Sequence, residues 1–178
     1  MNRNDVIALM AVLKTAYPSY YKQVSRDEAL AAINLWSEMF ADDDPEIVSA
    51  ATKALIASRT EGFPPTIGAV KAKMHDIANP DAMTEDEAWR IIAKALRNGI
   101  YGSREEFDKL PAELRKIVHD PAQLKEWAKM DEETVQSVVV SNFRRSYRVT
   151  ATRKKELDML PQDVRAAISS TVGRMRLE

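Results

Sequence analysis

Arg144, Arg145 and Arg148 stand within five residues of one another, interleaved with Phe143, Ser146 and Tyr147 and preceded by Asn142. A guanidinium is a planar fork of donors that matches a carboxylate or a phosphate better than the point charge of lysine does. Aromatic rings beside it add apolar contact or base stacking. The chemistry on offer is recognition of an anionic surface, either an acidic protein or a nucleic-acid backbone. Arg153, Lys154 and Lys155 extend the positive charge. The cluster lies where the chain changes sign. Residues 1–80 hold 8 basic against 10 acidic residues, 81–140 hold 9 against 13, and 141–178 hold 9 against 4. A net charge of −1 therefore conceals an acidic body with a basic end, and segregation of that kind points to a partner.

Other chemistries find no support in the residue pattern. A phosphate-binding loop needs a glycine followed by lysine, and none of Gly62, Gly68, Gly99, Gly102 and Gly173 is. His75 and His119 lack the spacing of a zinc pair, and the chain has no cysteine to supply thiolate ligands, nucleophiles or disulfides. Asp42, Asp43 and Asp44 are adjacent carboxylates that cannot all converge on one cation. Their place just before a helix start reads as capping and dipole complementation. The expectation is a non-enzyme with no catalytic, cofactor-binding or metal-ligating residues.

The elements that must position the arginines are helical. The 178 residues are 45% hydrophobic and 30% charged with only five glycines, a composition that suits helices and can bury the core of one large or two small domains. Val6, Leu9, Met10, Leu13 and Ala16 share a helical face that stops near Tyr17-Pro18. Ser25 with Glu28 forms a capping box before Leu30, Ile33, Trp36 and Phe40. Asp44-Pro45 restarts a helix through Val48, Ala51 and Leu55. Thr66 then caps one presenting Ile67, Val70, Met74 and Ile77 after the stiff Phe63-Pro64-Pro65 connector. These signals predict an all-α fold: a compact N-terminal bundle of about four helices over residues 1–78, a linker at 79–83, and a second helical region over 84–178.

In that second region Thr84 with Glu87 is a capping box for a helix through Trp89, Ile92 and Leu96 that ends at Asn98-Gly99. Ser103 with Glu106 is read as the cap of a short segment carrying Phe107. Leu110-Pro111, Asp120-Pro121 and Asp131 open further helices. On a helix beginning at Asp131, residues Val135, Val138, Val139, Asn142, Phe143 and Ser146 cluster on one side, with Val140 and Tyr147 at its margin. Ser137, Ser141, Arg144 and Arg148 line the opposite side, with Arg145 at the edge. The valine run also fits a strand. The residues nominated for partner binding are Trp127, Asn142, Phe143, Arg144, Arg145, Tyr147 and Arg148.

Three stretches together carry a resemblance. Leu13 to Lys22 (LKTAYPSYYK), Asn34 to Phe40 (NLWSEMF) and Gly62 to Ile67 (GFPPTI) resemble the N-terminal domain of the bacteriophage replicative helicase loader/inhibitor family. Glu87-Ala-Trp89, Glu106 to Pro111, Trp127 to Asp131 and Val135 to Tyr147 resemble the C-terminal part of longer members from phages of Gram-positive bacteria. The resemblance implies an all-helical protein of the host cytoplasm that binds a DnaB-type hexameric helicase. It would restrain ATPase and unwinding activity until a phage origin-binding initiator triggers loading, with DNA present in the loading complex. Family members use the C-terminal region for the helicase, which leaves the N-terminal domain for the initiator or for regulation. Phe143 or Tyr147 would then anchor in an acidic groove between helicase subunits, with the arginines setting orientation. The alternative is a phage replication or regulatory protein that contacts DNA directly through the Thr66–Ile77 helix or the basic 141–155 stretch. No stretch has the length and apolarity of a membrane span.

Overall fold

Capping residues and prolines mark most of the helix ends, and the described residues form twelve helices with one π-helical turn. The computed structural model describes the backbone of residues 1–175 and side chains to Val172, with no strand among the described residues. In chain order the helices are α1 (Arg3–Ala16), α2 (Pro18–Tyr21), α3 (Arg26–Met39), α4 (Pro45–Ser58), α5 (Ile67–Ala78), α6 (Glu85–Leu96), α7 (Gly99–Lys109) and α8 (Ala112–Val118). They continue with α9 (Pro121–Lys129), α10 (Glu132–Thr134), α11 (Val140–Asp158) and α12 (Gln162–Met175). Contacts divide the chain into two compact units. One is Met1–Pro80 together with the chain from Lys155 onward, and the other is Asp81–Lys154. Residues from 155 onward, taken from sequence with the 84–178 region, are thus grouped with the first unit.

In the first unit, Val6, Leu9 and Leu13 of α1 pack with Trp36, Phe40, Val48, Ala51, Val70 and Met74. Trp36 stacks on Phe40 with centroids 5.2 Å apart. Ser25 accepts the Glu28 backbone N–H while the Glu28 carboxylate accepts the Ser25 backbone N–H at 2.8 Å, so the capping box forms as read. Thr66 caps α5 through the Ala69 N–H. The stripe on α3 is narrower than expected: Leu30 is exposed, and Trp36 carries the buried face. Tyr17-Pro18 does end α1, and Pro18 immediately begins the one-turn α2, which raises the helix count of the bundle.

The aspartate triplet divides its work. Asp44 caps α4 by accepting the Glu46 N–H at 2.8 Å, and Asp42 accepts the Gln162 N–H at the start of α12 at 2.8 Å. Asp43 pairs with Lys71, a lysine almost wholly buried with its ammonium 4.8 Å from the Phe40 ring centroid. Among the described residues no group of three or more His, Cys, Asp or Glu side chains is arranged to hold a metal ion.

The second unit is built around α6, α7 and α9, which pack on one another. Gly99 permits α7 and α9 to pack closely: a Cβ placed there would lie 2.8 Å from the Ala128 Cβ of α9. Ser103 is not a cap. Helix α7 starts earlier, at Gly99, and runs through a kink at Gly102; the Glu106 carboxylate instead accepts from Asn98 and Lys109. Asn98-Gly99 therefore joins two helices with almost no loop. Asp120 and Asp131 cap as expected, through the N–H groups of Gln123 and Thr134. The core holds Ala88, Trp89, Ile92, Leu110, Leu114, Ile117, Val118, Leu124, Val139, Val140, Phe143 and Tyr147. No described helix is long and apolar enough to cross a membrane.

Candidate partner-binding site

The arginine cluster sits on α11, and a π-helical turn decides how that helix is phased. Over Val135–Val139 the backbone widens, so that the Val140 N–H bonds the Val135 carbonyl five residues back. Such a turn adds about one residue to the helical repeat and rotates everything downstream. The strand alternative for the valines is thereby replaced by helix. The regular wheel is off in phase: Val138, Asn142 and Ser146 face solvent, while Val139, Val140, Phe143 and Tyr147 form the buried stripe.

This phasing assigns different work to the seven nominated residues. Phe143 is 1% exposed, tilted against Trp89 at 5.5 Å and stacked with Tyr147 at 6.2 Å. Tyr147 is also buried, and its hydroxyl donates to the Met83 carbonyl at 2.6 Å. Burial, and then the carboxylates of Glu113 and Glu87, raise the Tyr147 phenol above its ordinary pKa. Neither ring is available as an anchor for a partner in this fold; both hold α11 onto α6. Trp127 is half-buried and packs against the same core.

Asn142, Arg144, Arg145 and Arg148 remain exposed. Arg144 donates to Asp86 at 2.7 Å, and Arg148 grips Glu85 with two bonds of 2.7 and 3.1 Å. The Arg148 bonds, followed by the charges of Arg148 and Arg144, hold the Glu85 carboxyl below the ordinary glutamate range. Further along α11, Lys154 pairs with Glu113 at 2.8 Å. Arg145 and Arg153 have no ion-pair partner among the described residues. The two paired arginines line an open recess of ≈ 650 Å³ with Met83, Thr84, Glu85 and Tyr147. Glu85 and Asp86 are the residues that sequence reading passed over. It recorded Thr84 and Glu87 of the same turn as a capping box, and nothing local shows that the two carboxylates between them face arginines some sixty residues away.

The surface is a ladder in which cations of one helix are interleaved with first-turn carboxylates of another. Residues 1–71 match the family model for the N-terminal domain of the phage helicase loader/inhibitor. The match overlaps the three stretches between Leu13 and Ile67 that carry the resemblance; residues 72–178 lie outside it. No curated protein and no solved structure matches the chain.

Proposed function

We propose that this protein is a phage replication factor that binds a DnaB-type hexameric helicase, restrains its ATPase and unwinding activity, and delivers it at the phage origin. The observation that supports the proposal is the match of residues 1–71 to the family model for the N-terminal domain of the phage helicase loader/inhibitor. The contact to the helicase is assigned to the exposed face of α11, with Asn142, Arg144, Arg145 and Arg148 touching the partner. Trp127, Phe143 and Tyr147 act from beneath by fixing the helix. Arg144 and Arg148 would exchange Asp86 and Glu85 for carboxylates on the helicase. That exchange is energetically cheap, because exposed ion pairs contribute little to the fold. Preferential binding to one conformation of the ring would stall its ATP cycle with no contact to nucleotide. The first unit remains for the origin-binding initiator.

Direct DNA binding through the same face is the weaker reading. Glu85, Asp86 and Glu113 interleave with the cations and lower the local positive potential on which backbone binding depends. Size-exclusion chromatography with a hexameric replicative helicase and ATP tests the proposal. The wild type should co-elute, while Arg144→Glu with Arg148→Glu should not, at unchanged helical content. Co-elution of that double variant would overturn the assignment of the face. A salt-dependent shift of origin DNA by the protein alone would favour the DNA reading.

A further inference from the structure

Glu85 and Asp86 face the arginines of α11 from the first turn of α6, and that turn is held in place by contacts other than their ion pairs. Thr84 accepts the Glu87 backbone N–H, while the Glu87 carboxylate accepts the Thr84 backbone N–H and hydroxyl, both at 2.8 Å. One residue ahead of this cap, the Met83 carbonyl accepts the Tyr147 hydroxyl at 2.6 Å. Directly behind it, Ala88 and Trp89 are buried in the core. The cap, the tyrosine bond and the core together present the two carboxylates to α11. They stay beside Arg144 and Arg148 whether or not the ion pairs are made.

The pairs themselves are open to solvent. Arg148 keeps 70% of its side-chain surface exposed while bound to Glu85, and Arg144 keeps 44% beside Asp86. A carboxylate arriving from outside can reach either guanidinium, but it must displace the internal one already there. A tethered group competes at the high effective concentration that its short connection imposes. The field of the face is reduced as well. Arg144, Arg145 and Arg148 bring three positive charges to it, and Glu85 and Asp86 cancel two of them. Attraction of an acidic surface scales with the charge that remains. The Glu87 carboxylate is turned back onto Thr84 and its cationic neighbour is Arg90, so it takes no place on the arginines.

We infer that Glu85 and Asp86 form an autoinhibitory contact: they occupy Arg144 and Arg148 in the free protein, and so slow and weaken capture of an acidic protein partner by the α11 face. This brake presupposes that α11 is the partner-binding face, as proposed for the helicase. Its strength is modest, because each pair is exposed and individually weak.

Binding of a fluorescent deca-glutamate peptide to the full chain, followed by anisotropy at low ionic strength, tests the brake without a helicase. Glu85→Gln with Asp86→Asn should bind the peptide about two- to tenfold more tightly than the wild type, the range that two exposed pairs allow. The gain should vanish when Arg144→Gln and Arg148→Gln are added. A purely structural role for the carboxylates gives no gain. Should the double variant lose helical content, Asp86→Asn frees Arg144 with Glu85 still in place and should show part of the gain. Affinity that is equal or lower in both variants, or a gain that survives loss of the arginines, would overturn the inference. Stopped-flow association with a hexameric replicative helicase separates the brake from the identity of the partner. Faster association of the carboxylate variant supports both. Tighter peptide binding with no helicase association keeps the brake and removes the helicase as the partner. Helicase binding that depends on the arginines, with no gain from either carboxylate variant, keeps the partner and overturns the brake.

Discussion

In the first unit a lysine lies inside the fold: Lys71 is 7% exposed, pairs with Asp43 and sits over the ring of Phe40. In the second unit the interior is almost wholly apolar, and the ion pairs of its described residues lie at the surface. The contrast separates two uses of charge. A buried pair is costly to desolvate and costly to break, so it constrains which arrangement of α4 and α5 the first unit adopts. Exposed pairs hold little of the fold's free energy and are free to exchange partners. By this comparison the first unit is built for a fixed shape, and the second presents charges on a rigid apolar base.

The base of the second unit should show the largest effect. Phe143→Ala removes a fully buried ring that touches both Trp89 and Tyr147, at a cost of about 3–5 kcal/mol. Urea unfolding followed by helical circular dichroism should show it; a loss below about 1 kcal/mol would remove Phe143 from the core. Next is Asp43→Asn, which leaves the Lys71 ammonium buried without its counter-charge. Full burial would cost about 3–5 kcal/mol, and the partial exposure of Asp43 places this pair near the lower end. Combining it with Lys71→Met should restore most of the stability, because an apolar replacement relieves the desolvation. A double variant as unstable as the single would break the comparison between the units.

The helix boundaries of both units were legible because their signals are local. Ser25 with Glu28 and Thr84 with Glu87 are spaced for reciprocal bonding, and both pairs make it. The same local logic failed at Ser103, where the alternative partner, Asn98, precedes the presumed start and α7 runs through it. It failed again across the valines, because a wheel at constant pitch has no place for a π-helical turn. That shift exchanged Asn142 for Tyr147 in the buried stripe. Phe143 already lies on the apolar side of the regular wheel, and its burial together with Tyr147 makes both rings supports for the nominated surface. The carboxylates facing the arginines were invisible for another reason: their proximity exists only once α6 and α11 have packed.

Smaller effects sharpen how the recess is held. Tyr147→Phe keeps the ring and loses the bond to the Met83 carbonyl, a destabilisation of about 1 kcal/mol. Acid should loosen the start of α6 through Glu87, whose carboxyl is lowered first by the Thr84 backbone bond and then by the Thr84 hydroxyl. A depressed folded-state pKa means that the stabilisation is fully present above the unfolded glutamate value and is lost as pH falls through the lowered folded one. Melting curves of the wild type and Glu87→Gln should therefore differ at neutral pH and converge at low pH. Parallel curves across that range would deny Glu87 its capping role.

The smallest effect on stability is expected where the effect on binding is greatest. Arg144→Gln with Arg148→Gln removes two exposed pairs and should barely move the melting temperature, since such pairs contribute little net free energy. Arg145→Gln removes a cation without an ion-pair partner among the described residues and should be at least as silent. If the α11 face meets an acidic surface of a helicase, all three losses should appear as slower, less salt-sensitive association, because charge complementarity acts mainly on the encounter. Stopped-flow association at two ionic strengths reads this directly. Equal rates for wild type and variants would return the arginines to the status of a solvated helix face. A melting temperature that falls as far as in Phe143→Ala would show that the ladder is structural after all.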